Sequence, residues 1–375
     1  MIEGEGQSRG LPAFERGTEW LRGVGASCDV VMSSRVRLAR NLAGFVFQPK
    51  ANDEQREDVL DRCRAQILAG GVHAKVMWID LRRIEAMERS VLVERQLISA
   101  QLAAGKPAGG GSRRGSEKRP RGVAVGLPDE RMSIMVNEED HLRMQVIRSG
   151  LSLGEALDEV VRVDETLGSG LEYAFSARFG YLTCCPTNVG TGARFSVMMH
   201  LPGLRLTGEI EKVKRAADDM GLAVRGFHGE GSETAGDLYQ LSNQTTLGKS
   251  EQVLLGEIEH EIVPRVVDYE RHARRVLMER RRDVLEDQVQ RAIGTGLHAR
   301  LLATGEAMAV LSAIRLGAVL GVAEGVDQAA VNGLMLSVQP AHLQRVLGRE
   351  MSQAERKVER ATLVRAKLGE ALGAG

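Results

Sequence analysis

The sequence predicts an α+β domain followed by an all-helical domain. Between residues 30 and 242, short strand-like runs alternate with amphipathic helical segments. Beyond residue 250, the pattern changes to long helical periodicity with few β-branched runs. The length of 375 residues also suits about two domains. We therefore expect an N-terminal extension over 1–27, a first domain over 28–265 and a helical domain over 266–375.

The elements of the first domain follow from period and composition. Strands are predicted where β-branched and apolar residues cluster, at 30–39, 75–81, 131–138, 193–201, 222–227 and 237–243. Helices are predicted at 52–68, 84–103, 152–168 and 209–221. A segment rich in Gly, Ser and Arg, 105–122, is typical of a flexible exposed loop.

Composition excludes several function classes. Lys+Arg and Asp+Glu are balanced at 50 each, so no overall field attracts nucleic acid or an anionic membrane. No apolar run approaches the roughly 20 residues that span a bilayer, and the first residues lack a secretory pattern. The four cysteines form no C-x-x-C pair and have no histidine at zinc spacing. These features predict a cytoplasmic protein without a disulfide framework or a bound structural metal.

Paired arginines mark the first predicted strand. In Ser33-Ser34-Arg35-Val36-Arg37, side chains alternate between the two faces of a strand, so Arg35 and Arg37 share a face and Val36 packs on the other. Two adjacent guanidinium groups can clamp an anion. A solvated strand face is the alternative for this motif alone.

Three further motifs carry potential chemistry. Asn137 to Arg143 reads N-E-E-D-H-L-R, whose adjacent acids need a cation or otherwise form an acidic turn. Cys185 to Thr191 reads C-P-T-N-V-G-T, a tight turn that exposes the thiol before it, with Arg194 next. Arg225 to Glu233 reads R-G-F-H-G-E-G-S-E, a glycine-rich segment that carries two acids.

In this order, the four motifs resemble those of the phosphagen (guanidino) kinases. The resemblance covers about residues 28–262, and the sequence around Cys185 and from Gly229 to Glu251 is similar to the bacterial protein arginine kinase branch. It implies an antiparallel sheet flanked by helices. The segments 312–322, 334–344 and 354–368 resemble the phosphoarginine-binding domain of that branch, so the helical domain is expected to be of this kind.

The resemblance also implies roles for individual residues. ATP and Mg²⁺ are the expected cofactors, and the acceptor is expected to be an arginine side chain of another protein. Glu139 and Glu233 would orient the guanidinium and take its proton, and Cys185 would add negative charge as a thiolate. The nucleotide would be bound by Ser34, Arg35, Arg37, Gln96, Arg143, Arg194, Arg225 and His228.

Three positions depart from the family pattern. Gln96 stands where the family has a nucleotide-contacting histidine, and His228 stands where relatives have Arg or Tyr, so weaker ATP binding is expected. The family's R-D-x-x-R-A motif appears as R-K-V-E-R-A, with Arg356, Glu359 and Arg360 as the expected phosphoarginine ligands. Lys357 reverses a charge there. Either Glu359 substitutes for the missing acid or this allosteric site has been lost.

Partners are implied in the same way. They are a zinc-binding activator protein, a Clp-type unfoldase that recognises phosphoarginine, a heat-shock repressor as substrate and a second copy of the chain. Autophosphorylation is a further hypothesis, at Arg113, Arg114, Arg119 and Arg121. Two alternative functions stay open at this point: a metabolite kinase acting on free arginine, and a non-catalytic phosphoarginine-binding adaptor.

Overall fold

A computed structural model of the protein describes residues 18–105, 118–226 and 235–372. Ten strands lie within these ranges. They are β1 (Val31–Arg40), β2 (Val76–Asp80), β3 (Gly122–Gly126), β4 (Met132–Val136), β5 (Leu142–Ser149), β6 (Phe175–Ser176), β7 (Gly180–Tyr181), β8 (Ala193–His200), β9 (Leu222–Gly226) and β10 (Leu238–Asn243).

Eight of the strands form one sheet, in the order β2-β3-β4-β5-β1-β8-β10-β9. Every neighbouring pair is antiparallel. The strand β1 lies at the centre, with β5 on one side and β8 on the other. Strands β6 and β7 form a separate hairpin. The antiparallel sheet predicted from the resemblance is confirmed.

Helices cover the sheet and build the C-terminal part. They are α1 (Asp53–Ala69), α2 (Ala86–Glu94), α3 (Ala100–Ala104), α4 (Leu153–Gly168), α5 (Pro202–Leu206), α6 (Ile210–Asp219), α7 (Glu251–Leu255), α8 (Val263–Arg280), α9 (Arg282–His298), α10 (Thr304–Leu320), α11 (Gln328–Ser337), α12 (Pro340–Leu347) and α13 (Gln353–Leu372). Residue 265, where the sequence places the domain boundary, falls inside α8. Among the residues described, no helix is both long and apolar enough to cross a bilayer.

The two faces of the central strand have different neighbours. Val36 and Leu38 are buried in the large apolar core, and α4 contacts β1 and β5 from this side. The buried residues of α4 recur at helical spacing, for example Leu153, Leu157 and Val160. Arg35 and Arg37 alternate with Val36 and Leu38, so they project from the opposite face. The fold therefore buries one side of β1 in apolar packing and leaves its other side for a polar site.

Some predicted elements differ in the structure. The helix predicted over 84–103 is two helices, α2 and α3, because Gln96 between them has the left-handed φ of +62°. The sequence analysis did not predict strands β3, β5, β6 and β7. Of the predicted loop 105–122, residues 106–117 lie outside the described ranges, but Arg121 is buried and donates to the Leu102 carbonyl at 2.8 Å. The expectation that Arg121 is an exposed phosphorylation target is therefore wrong.

Candidate active site

Five arginine side chains project from one face of the sheet. In an antiparallel pair, directly opposite residues share a face, as do residues two apart on one strand. Arg37 lies opposite Arg194 and Gln145, and Arg143 is two residues before Gln145. The same rule carries through Met198, opposite Gln240, to Gln240, opposite Arg225. The arginine row is therefore Arg35, Arg37, Arg143, Arg194 and Arg225, as the sequence analysis expected for an anion site.

Polar side chains from three other elements hold Arg35 in place. Its Nη2 donates to Gln240 Oε1 at 2.7 Å, its Nη1 to Gln96 Oε1 at 3.3 Å and its Nε to Ser196 Oγ at 3.3 Å. All three acceptors are neutral. Arg35 is thus oriented by hydrogen bonds while its charge remains available to a ligand.

Like charges crowd the row. Burial, together with Arg143 and Arg194, lowers the pKa of Arg35 to about 10. Burial, followed by Arg35, Arg143 and Arg194, lowers the pKa of Arg37 well below its ordinary value. Within the described ranges, the buried Arg37 Nε has no hydrogen-bond partner. An anion bound here would relieve the repulsion and accept this donor, so the row fits the phosphate chain of a nucleotide.

Arg143 is paired with a nearby acid. Its Nη1 donates to Glu138 Oε1 at 2.7 Å, and Glu138 also accepts from Ser99 Oγ at 2.5 Å. Burial disfavours the charged guanidinium, but Glu138 offsets this and raises the pKa of Arg143. Glu138 is itself buried, and Arg143 lowers its pKa against the effect of burial. Glu138 therefore supports Arg143 and is not free to receive a proton.

Glu139, the next acid, has a different environment. Its carboxyl is half-buried and lies within electrostatic range of both Arg143 and Arg194. Burial, followed by the charges of Asp140 and Glu138, raises its pKa above the ordinary value of 4.5. Asp140 is already engaged, because it accepts from the Cys184 backbone N–H and from Asn41 Nδ2, both at 2.7 Å. Of the three adjacent acids, Glu139 alone is open to a cationic acceptor.

Cys185 opens the turn that the sequence predicted. A short 3₁₀ turn, Pro186–Asn188, follows it directly. The Cys185 Sγ lies 3.0 Å from Thr187 Oγ1 and within electrostatic range of Arg194. Burial, followed by Asp140, raises the pKa of the thiol of the neighbouring Cys184. Glu139 and Cys185 both lie within electrostatic range of Arg194, so the acid and the sulfur are near the same member of the arginine row.

Other predicted site residues lie elsewhere. The side chain of Ser34 is fully buried on the face opposite the arginines, where its Oγ donates to the Gly150 carbonyl at 2.8 Å and accepts from the Ser152 N–H at 3.0 Å. It ties β1 to the start of α4 and does not face the row. Glu233 and His228 lie outside the described ranges, so their predicted roles stay predictions.

The three predicted phosphoarginine residues have different surroundings in the helical part, which is built from α9 to α13. Arg360 is buried and donates to the carbonyl groups of Val338 at 2.6 Å and Leu302 at 3.0 Å. Glu359 accepts from Arg349 at 2.8 Å. Arg356 lines a cleft of about 250 Å³ between α2 and α12, together with Glu94 and six other residues. Arg360 therefore holds the helices together, and Arg356 is the one of the three that lines this cleft.

Sequence reasoning did not single out Gln240, Ser196 and Ser99, three partners of the site residues. No motif marks them, and they become recognisable only when strand pairing places Gln240 and Ser196 beside Arg35. For the parts of the chain that the structure describes, no group of three or more His, Cys, Asp or Glu side chains is arranged to hold a metal ion.

Known proteins match this chain over nearly its whole length. A model described as the ATP:guanido phosphotransferase C-terminal catalytic domain matches residues 61–273. A model described as the protein-arginine kinase McsB C-terminal domain matches residues 282–373. A protein-arginine kinase from Symbiobacterium thermophilum is 43% identical over 94% of this chain and 96% of its own. The chain belongs to the protein-arginine kinase family. A second family member, from Moorella thermoacetica, is also 43% identical, over 94% of this chain and 97% of its own.

Solved structures agree on the fold. The substrate-free duplicated taurocyamine kinase from Schistosoma mansoni has a TM-score of 0.55 at 23% identity, and the match covers 76% of this chain. It spans only 42% of that duplicated chain. A lombricine kinase structure has a TM-score of 0.54 at 23% identity, covering 70% of this chain and 73% of its own. The predicted kinase fold and the assignment to the protein-arginine kinase family are confirmed.

Proposed function

We propose that this chain phosphorylates arginine side chains of proteins, with ATP as the phosphoryl donor. One observation carries the proposal: five arginines share one sheet face, and a half-buried glutamate and a cysteine both lie within electrostatic range of Arg194 in that row. The arginines suit the phosphates of ATP, and the acid and sulfur suit a guanidinium acceptor. The names of the relatives support a protein as the source of that guanidinium.

The row performs alignment and charge compensation. Phosphoryl transfer needs the donor and acceptor in line and the phosphate charge offset, and it needs little covalent chemistry from the protein. Arg37 and Arg194, opposite each other on β1 and β8, would grip the phosphate chain, and Arg35 is already oriented for it. Mg²⁺ carried by the nucleotide would offset further phosphate charge. We propose no protein ligand set for the metal.

The acceptor side has to activate a poor nucleophile. A guanidinium has a pKa above about 12, and its nitrogen lone pairs are delocalised. The Glu139 carboxylate would orient one nitrogen and accept its proton as that nitrogen forms its bond to the γ-phosphorus and the bond to ADP breaks. Cys185 as a thiolate would add negative charge beside the guanidinium, and Glu233 would supply the second carboxylate.

A transfer assay separates the protein-directed activity from the metabolite kinase. The enzyme is incubated with γ-labelled ATP and either casein or free arginine. We expect label on casein that is lost in acid, because the phosphorus–nitrogen bond of phosphoarginine is acid-labile, and we expect a Cys185→Ser variant to lose it. Acid-stable label on casein, or transfer to free arginine alone, would contradict the proposal.

The pH dependence of the reaction should report Glu139. Its raised pKa means that the carboxyl becomes protonated at a higher pH than an ordinary glutamate, and a protonated carboxyl cannot take the acceptor's proton. We therefore expect kcat/KM for the protein acceptor, measured at saturating ATP, to fall with decreasing pH through a value above 4.5. Circular dichroism over the same range controls for unfolding. An acid limb of the pH profile with its midpoint at or below that value would contradict the assignment of Glu139 as the proton acceptor.

The remaining implied partners are proposals of the same standing. They are the zinc-binding activator, the Clp-type unfoldase, the heat-shock repressor and a homodimer, together with a cytoplasmic location. The cleft beside Arg356 is the place in the helical part where we would look for phosphoarginine binding, because Arg356 faces it and Arg360 does not take part.

A further inference from the structure

A chain of hydrogen bonds links helix α10 to the sheet. Arg315 Nη1 lies 2.7 Å from His200 Nδ1, His200 Nε2 lies 2.8 Å from Ser312 Oγ, and Ser312 Oγ donates to Asp237 Oδ2 at 2.7 Å. A guanidinium can only donate, so Nδ1 must accept and the ring proton must sit on Nε2. That proton goes to Ser312 Oγ, which leaves the serine hydroxyl hydrogen for Asp237. The direction of every bond is therefore determined.

This chain of hydrogen bonds is closed to solvent. His200, Ser312 and Arg315 have no exposed surface, and Asp237 is 6% exposed. Burial, followed by Arg315, lowers the pKa of His200, which keeps the ring in the neutral form that the chain requires. Arg205 pairs with Asp237 at the outer end. A buried polar atom that loses its partner is left with an uncompensated desolvation cost, so we expect the members of this hydrogen-bond chain to shift together.

The hydrogen-bond chain lies where three strands meet the helical part. Strand β1 begins just after Cys28 and Asp29, whose carbonyl groups accept from Arg315 at 2.9 and 3.1 Å. Strand β8 ends at His200, and β10 begins directly after Asp237. Antiparallel pairing puts the start of β1, the end of β8 and the start of β10 side by side at the same end of the sheet. Two residues of one helix, Ser312 and Arg315, thus hold all three.

These same strands carry the arginine row's central members. Strand β1 bears Arg35 and Arg37, and β8 bears Arg194. Strand β10 bears Gln240, which lies three residues after Asp237. The Gln240 Oε1 accepts from Arg35 Nη2 at 2.7 Å. The offset between neighbouring strands fixes which side chains face each other. A shift of any of the three strand ends that α10 holds would move Arg35, Arg194 and Gln240 relative to one another.

We propose that Ser312 and Arg315 are positioning residues for the nucleotide site, which they serve by fixing the relative placement of β1, β8 and β10. They touch no substrate and act through the hydrogen-bond chain. The inference uses the proposed function only in assuming that ATP occupies the arginine row, and it holds whatever the acceptor is. It makes the helical part a component of the ATP site.

The test is nucleotide binding and kinetics of a Ser312→Ala variant of the full chain. We expect the Kd and KM for ATP to rise about 3- to 30-fold, the size usual for coupling through packed networks, with kcat changed far less. Ser312→Thr, which keeps the hydroxyl, should restore the wild-type KM. Ser337→Ala is the matched control, because the Ser337 hydroxyl donates to Gly333 within its own helix.

A double variant distinguishes positioning from general loss of stability. If Ser312 acts through Gln240, then Ser312→Ala with Gln240→Ala should raise KM by less than the product of the two single effects. Independent effects, or a lower Tm in Ser312→Ala with unchanged ATP affinity, would overturn the proposal. Should Ser312→Ala fail to fold, Asp237→Asn tests the same link from the sheet side, and an unchanged Kd for ATP there would overturn it too. Direct binding by calorimetry needs no acceptor, so loss of the proposed protein substrate would not affect this result.

Discussion

Replacing Glu139 by glutamine is expected to lower kcat for phosphoryl transfer about 10²- to 10⁴-fold, the usual contribution of a positioned general base. Glutamine keeps the shape of the side chain and its hydrogen-bonding oxygen but cannot accept a proton. Nucleotide affinity should stay within a few-fold, because the phosphates are bound by the arginine row. Single-turnover transfer to casein and calorimetric titration with ATP measure the two effects separately.

Three further substitutions make the Glu139 result specific. Glu138→Gln is the matched neighbour: Glu138 is paired with Arg143, so this change should weaken ATP binding through that arginine. Glu233→Gln tests the second predicted carboxylate, and Glu230→Gln tests the other acid of the same segment. Turnover close to wild type in both the Glu139 and Glu233 variants would refute the proposal that these two carboxylates act on the acceptor.

Replacing Arg37 by glutamine is expected to lower kcat/KM for ATP and, at the same time, to raise the Tm of the nucleotide-free enzyme. The loss of kcat/KM should be about 10²- to 10³-fold, the usual effect of removing one preorganised donor to a transition-state oxyanion. The stability gain follows from the lowered pKa of Arg37. A cation whose pKa falls on folding is less stable when charged in the folded state than in the unfolded state, so removing the charge favours folding.

Thermal unfolding with and without ATP provides the measurement for Arg37. The wild-type Tm should rise on adding nucleotide, and the Arg37→Gln variant should start higher and rise less. Arg83→Gln serves as the control, because the Arg83 side chain is 84% exposed and its ion pair among the described residues, with Asp80, is long at 3.6 Å. A lower Tm for empty Arg37→Gln, or unchanged ATP affinity, would contradict the account of the row.

Strand alternation was sufficient to predict one half of the site. The period of two in S-R-V-R placed Arg35 and Arg37 on one face and Val36 in the core, and the structure agrees. Arg143 and Arg194 came from motifs, and their alignment with Arg37 required the strand register, which the chain does not reveal locally. Strand β5 was missed because charged and polar residues interrupt its apolar run, since one of its faces belongs to the site.

Long-range hydrogen bonds account for what the sequence could not show. Gln96 breaks a predicted helix, and its left-handed backbone is compatible with the contact to Arg35 across 61 residues. Ser34 lies within a site motif but points to the core, because the strand alternates faces. Arg360 matches a ligand position, yet it binds three backbone carbonyl oxygens. In each case, the deciding partner is distant in sequence or is backbone, which carries no side-chain signature.

The crowding of the five guanidinium groups also has a practical side. A row of like-charged guanidinium groups attracts small anions, and among the described residues the buried Arg37 Nε–H has no acceptor. Inorganic phosphate or sulfate has the tetrahedral oxygens to supply one. In phosphate-buffered or sulfate-precipitated preparations, titration with ATP would therefore measure the exchange of one oxyanion for another, and chloride-based buffers are the better reference for its intrinsic affinity.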